Sequence, residues 1–138
     1  MAMASVLLVE DDDQLRRILT INFARRGYTV AEADSVETAL EAVRAFPRPF
    51  DVIVLDIYLP DRTGWDVLRA LHRPELADSY HTAYAPRVVV TTAVRPAPCR
   101  LDEFHPDAVL LKPFPVDALM RLVARMVPRP QGSLATQV

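Results

Sequence analysis

The sequence predicts an α/β fold in which five parallel strands form one doubly wound sheet with helices on both faces. Three observations carry that prediction. Short, unbroken apolar runs recur along the chain, as strands buried on both faces require. Stretches whose apolar residues fall at helical spacing alternate with them. Glycine, proline, aspartate and serine punctuate the joins between the two kinds of segment.

The first run is Val6, Leu7, Leu8 and Val9, ending in acids. Residues 13–26 then carry Leu15, Ile18, Leu19 and Phe23 as a helical stripe, with Arg16, Arg17, Arg25 and Arg26 left for solvent and Gly27 as the stop. Residues 28–32 read as a second strand. Ser35 can cap a helix striped by Val36, Ala39, Leu40 and Val43, which must end before Pro47. Residues 51–55 form a third strand running directly into Asp56. After a Pro-Asp turn and Gly64, a third helix opens with Trp65, Leu68 and Leu71. Residues 73–86 read as a polar, proline-bounded loop. Residues 87–90 form a fourth strand ending at Thr91 and Thr92, and residues 108–111 a fifth ending at Lys112. Val116, Leu119, Met120, Val123 and Met126 stripe the last helix. Residues 1–127 are therefore expected to be one domain. Residues 128–138, rich in Pro, Gly, Ser and Gln, are expected to be a flexible tail or the start of a linker.

Bulk properties narrow the function. At 138 residues the chain has the length of one domain. A net charge of −2 gives no reason to expect direct nucleic-acid binding. Cys99 is the single cysteine and cannot form an internal disulfide, so a reducing, cytoplasmic setting is expected. No run approaches the roughly 20 apolar residues of a membrane span, and the N-terminus lacks the cationic lead of a signal peptide. With only Gly27, Gly64 and Gly132, the chain has no glycine-rich phosphate loop.

In a doubly wound sheet, ligands bind at the carboxyl ends of the strands. There the sequence places Glu10, Asp11, Asp12 and Asp13 after the first strand, and Asp56 after the third. Thr91 and Thr92 end the fourth, and Lys112 follows the fifth. Clustered carboxylates repel unless something cationic joins them, and an all-oxygen set suits Mg²⁺. An aspartate screened by metal beside a lysine and a threonine is a plausible phosphoryl acceptor. Each residue alone has a plainer reading. Asp12 or Asp13 can be a helix N-cap, Asp56 a turn residue, Thr92 a strand end and Lys112 a surface charge. It is the conjunction that points to chemistry. Lys112 is also the only lysine among sixteen basic residues, which suggests a place needing a compact point charge.

Four segments, VLLVEDD at 6–12, VIVLDIYLPDRTGWDVL at 52–68, VTTA at 90–93 and LLKPF at 110–114, resemble the motif blocks of two-component response-regulator receiver domains. The resemblance covers residues 5–127 and implies a CheY-like (flavodoxin-like) sheet of order 2-1-3-4-5. It implies that Asp56 is the phospho-acceptor and that Mg²⁺, for which Mn²⁺ can substitute, is held by Glu10, Asp11, Asp56 and the main-chain carbonyl of Tyr58. It implies that Thr92, with Thr91 as the alternative, and Lys112 contact the phosphoryl group, and that Lys112–Pro113 is a cis peptide. The donor would be a sensor histidine kinase or phosphotransfer protein, and the output a downstream protein or a detached output domain. Such a chain is a phosphorylation-controlled switch, not a turnover enzyme, and is expected to act without direct nucleic-acid or membrane contact.

Two departures stand out. The fifth-strand position that is usually aromatic in the family is Val109, and the fourth-helix region carries Pro96, Pro98 and Pro106, so a short or irregular helix is expected. A pseudo-receiver that keeps the fold without being phosphorylated is the alternative. An aspartate-nucleophile phosphatase would want a second Asp two residues after Asp56, where this chain has Tyr58.

Overall fold

A computed structural model describes residues 4–72 and 86–127. The expected 73–86 loop, apart from its last residue, and the 128–138 tail lie outside the described residues. Strands β1 (Ser5–Val9), β2 (Thr29–Ala33), β3 (Val52–Asp56), β4 (Arg87–Thr92) and β5 (Ala108–Leu111) pair in parallel in the order β2-β1-β3-β4-β5. Helices α1 (Asp13–Arg25), α2 (Val36–Ala45), α3 (Trp65–Leu71), α4 (Pro98–Phe104) and α5 (Val116–Met126) alternate with them.

Alternation along each strand builds two cores. Leu7, Val9, Ile53, Leu55 and Val90 point to one face, against Val36, Ala39, Leu40 and Val43 of α2 and Trp65, Val67 and Leu68 of α3. Val6, Leu8, Val52, Val54 and Val89 point to the other, against Leu19 and Phe23 of α1 and Leu119, Met120 and Val123 of α5. Both faces of β1 and β3 are thus dry, which is why their sequences read as continuous apolar runs rather than alternating ones.

The local signals act mostly as expected. Ser35 and Thr38 form a reciprocal capping box at α2, and Phe46 is already extended before Pro47. Gly27 has φ of +90°, a conformation that costs glycine little. Asp12, not Asp13, is the cap of α1, accepting from the Gln14 and Leu15 amides. Strand β2 starts at Thr29 rather than Tyr28, whose amide still closes the α1 turn by donating to Phe23 O at 3.1 Å. Ile18 departs from the expected stripe. It is 47% exposed, because the face set by Leu19 and Phe23 leaves it turned about 100° toward solvent. The fourth helix is short, as its prolines predict. Pro98 sits in its first turn, where a missing N–H costs nothing, and left-handed His105 ends it seven residues later.

Candidate functional site

The parallel sheet brings the carboxyl ends of β1, β3, β4 and β5 to one edge. Glu10 follows β1, Asp56 ends β3, Thr92 ends β4 and Lys112 follows β5. The carboxylate oxygens of Glu10, Asp11 and Asp56 come within 4.8 Å of one another. Glu10 is 1% exposed and Asp56 4%, whereas Asp11 is open to solvent.

One ammonium bridges the two buried acids. Lys112 Nζ donates to Glu10 Oε1 at 2.7 Å and to Asp56 Oδ2 at 3.0 Å. Without it, two adjacent carboxylates withdrawn from water would share no counter-charge, and only the Asp12 amide would still donate to Glu10, at 3.1 Å. Burial pushes the Glu10 carboxyl up to about 7. Hydrogen bonds from Lys112 and the Asp12 amide hold it down only in part, and the Asp56 charge raises it further. Burial works against the Lys112 ammonium, but the two carboxylates outweigh it and the group is held above its ordinary range. The Lys112–Pro113 peptide is cis.

The loop after Asp56 folds back on its own strand. Gly64 donates to Ile57 O at 2.7 Å, and Tyr58 pairs with Thr63 across the turn. A Cβ on Gly64 would collide with the main-chain oxygen of Asp56, so glycine alone permits this approach. The Tyr58 ring projects outward, 57% exposed, while its main chain lies in the closed loop. Thr91 sits beside Asp56 in the β3–β4 register. Thr92 is one residue further on, its hydroxyl donating to Val94 O at 2.9 Å and accepting from Val94 N at 3.2 Å. Both threonines are buried.

Two contributors escape a sequence reading. Arg16, expected in solvent, instead donates to Glu10 O at 2.8 Å and Asp13 Oδ1 at 2.7 Å and approaches Glu32 at 3.3 Å. It pins the β1–α1 turn that presents the acids. The only sequence hint is its i,i+3 spacing from Asp13. Asp61, read as a turn residue, accepts from the Val36 and Glu37 amides at 3.0 and 3.1 Å, tying the loop to α2. No local pattern announces a partner so distant.

Three oxygen-bearing acids, two of them buried, form a donor set that suits a hard divalent cation. A profile for the "Response regulator receiver domain" matches residues 6–124. The chain belongs to the response-regulator receiver family. This receiver is 44% identical over 73 residues to the transcriptional regulatory protein AfsQ1 of Streptomyces coelicolor, a match covering 53% of this chain and 32% of that protein. It is 32% identical over 126 residues to the regulatory protein AtoC of Escherichia coli, covering 90% of this chain and 25% of that protein. The chain thus spans a third or less of these relatives. The non-phosphorylated HemR receiver domain of Leptospira biflexa superposes with a TM-score of 0.73 at 26% identity, covering 93% of this chain and 98% of that one. Receivers are signalling switches that bind Mg²⁺ at an acidic pocket. Among the described residues no helix of this receiver is long and apolar enough to cross a membrane.

Proposed function

We propose that this receiver takes a phosphoryl group onto Asp56 from the phosphohistidine of a sensor histidine kinase or phosphotransfer protein. The observation that carries the reading is the contact of the lone lysine with the buried Asp56, beside two further acids at the same sheet edge. Glu10, Asp11, Asp56 and the Tyr58 carbonyl would hold Mg²⁺, or Mn²⁺ in its place. Bound there, the cation supplies charge neutralisation for the transferring phosphoryl group.

The chain's own groups do the rest. A carboxylate oxygen of Asp56 attacks phosphorus, the P–N bond of the donor breaks, and the released imidazole nitrogen takes a proton from solvent. Lys112 turns its ammonium from Glu10 and Asp56 toward a phosphoryl oxygen. The Thr92 hydroxyl exchanges Val94 O for another phosphoryl oxygen. Thr91 is the alternative, since it is the threonine in register with Asp56. A hollow of about 410 Å³ lined by Leu15, Ala93, Lys112, Pro113 and Phe114 opens beside the site and would admit the donor.

Output would pass to a downstream protein or a detached output domain. The regulatory relatives it matches are longer proteins, and the net charge of −2 does not favour direct nucleic-acid binding by this chain. The chemistry belongs in the cytoplasm, where the donor kinases present their phosphohistidine. A pseudo-receiver is favoured by one feature, an α4 that buries none of its residues. Labelling by acetyl phosphate with Mg²⁺ decides between them. Wild type should incorporate acid-labile, hydroxylamine-sensitive phosphate, and Asp56→Asn should incorporate none while keeping its fold. Full labelling of Asp56→Asn would remove Asp56 from its role, and an unlabelled wild type would favour the pseudo-receiver.

A further inference from the structure

We propose that Asp61 is a positioning residue for the cation site: it clamps the 57–64 loop to the start of α2 and so holds the Tyr58 carbonyl steady as a ligand. The inference rests on the Mg²⁺ reading above and adds a residue to it. The two Asp61 carboxylate oxygens accept from two successive amides, Val36 N at 3.0 Å and Glu37 N at 3.1 Å, the first 25 residues away in sequence. Oδ1 also accepts from Arg62 N at 3.0 Å, which fixes the carboxylate to its own backbone.

Helix α2 has little need of this partner to begin. Ser35 already caps it, accepting from Thr38 N at 3.1 Å, and Thr38 returns the bond to the Ser35 amide at 3.1 Å. The stronger demand comes from the loop. Gly64 to Ile57 and Tyr58 to Thr63 close the loop on itself, Thr63 O and Gly64 O accept from Asp66 N and Val67 N at the start of α3, and Ile57 and Leu59 pack on the core, but none of these hydrogen bonds reaches α2. Asp61 supplies the tie to α2, through charge-assisted bonds at the positive end of a helix dipole. The slight burial of its carboxyl is outweighed by the main-chain N–H groups around it, and the group is held below the usual carboxylate range, so the clamp stays charged near neutrality. Only two residues separate Tyr58 from Asp61, so slack at Asp61 becomes displacement at Tyr58.

Calorimetric titration of the full chain with MgCl₂ tests this. Asp61→Ala should weaken Mg²⁺ binding by about tenfold, the lower end of what losing an outer partner of a metal ligand costs. Asp61→Asn keeps one acceptor oxygen and should fall between Asp61→Ala and wild type. Ser35→Ala removes the other α2 cap and should lower the melting temperature while leaving Mg²⁺ affinity at the wild-type value. Wild-type affinity in both Asp61 variants would overturn the clamp alone. So would an equal loss in Ser35→Ala, because helix capping would then account for the effect. A wild-type chain that does not bind Mg²⁺ would overturn the metal reading itself, and the clamp with it. Should Asp61→Ala fail to fold, Asp61→Asn set against Ser35→Ala separates the same outcomes.

Discussion

In the absence of a divalent cation, a single ammonium balances the two buried carboxylates of this receiver, and that balance depends on pH. Folding raises the Glu10 carboxyl from 4.5 to about 7, chiefly through burial. An acid raised on folding keeps its proton in the folded state over a range where the unfolded chain has lost it. Its favourable contribution is therefore complete below the unfolded value and disappears as pH rises through the folded one. Lys112 is also raised, and its contribution holds across this window, being lost only at far higher pH. In EDTA, wild type should lose stability relative to Glu10→Gln as pH rises from about 5 to about 7.5. Thermal melts of the two proteins across that range check it. Parallel curves would show that the burial of Glu10 carries no such cost.

Among the helices, α4 is the one least committed to the core. It buries no residue and has no side-chain cap. Its C-terminal end is held by Phe104, which stacks on Trp65 at 5.0 Å with 12° between the rings and lies under Arg69 at 5.2 Å. Arg69 also approaches Glu103 at 3.6 Å. Its N-terminal end leads back through the Val94 turn to Thr92, so the proposed move of Thr92 toward a phosphoryl group would pull on a helix that buries none of its residues. Val109, β-branched and stiff about χ1, has no ring to rotate in response. Phosphorylation should therefore act by reordering residues 94–107. Trp65 is the only tryptophan, so its emission reports the stack. Beryllofluoride with Mg²⁺ should shift that emission in wild type, and Phe104→Leu should abolish the shift while still accepting phosphate. An emission unchanged by the mimic in wild type, together with unchanged hydrogen exchange over 94–107, would mark α4 as static.

For the whole molecule, the acidic edge is a cost of folding that the proposed cation would reverse. The apolar cores on both faces hold β1 and β3 in fixed register, so the buried Glu10 and Asp56 at their ends cannot drift apart to relieve their repulsion. A ligand that binds only the folded form stabilises by mass action, about 2.7 kcal/mol at a hundred times its Kd, or roughly 5–10 °C for a chain of this size. Melting temperature should rise with MgCl₂ and return to the apo value on adding EDTA. Indifference to millimolar Mg²⁺ would count against a metal site anywhere on this edge.

The sequence by itself determined the five strands, the alternating helices, the short α4 and the candidate residues at the strand ends. Those properties follow from burial and local backbone preference. Val6 to Val9 must be a strand because both its faces are apolar, and Pro98 can only open a helix, not continue one. The tertiary structure alone decided that Asp12 caps α1, that Ile18 faces water, that Arg16 braces the Glu10 turn and that Asp61 reaches α2. The Asp12 cap is a local choice between adjacent carboxylates, and the other three depend on where a second segment lies in space. A carboxylate or guanidinium carries the same local signal whether it meets solvent, its own helix or an amide 25 residues away, and only the packed sheet and its loops select among them.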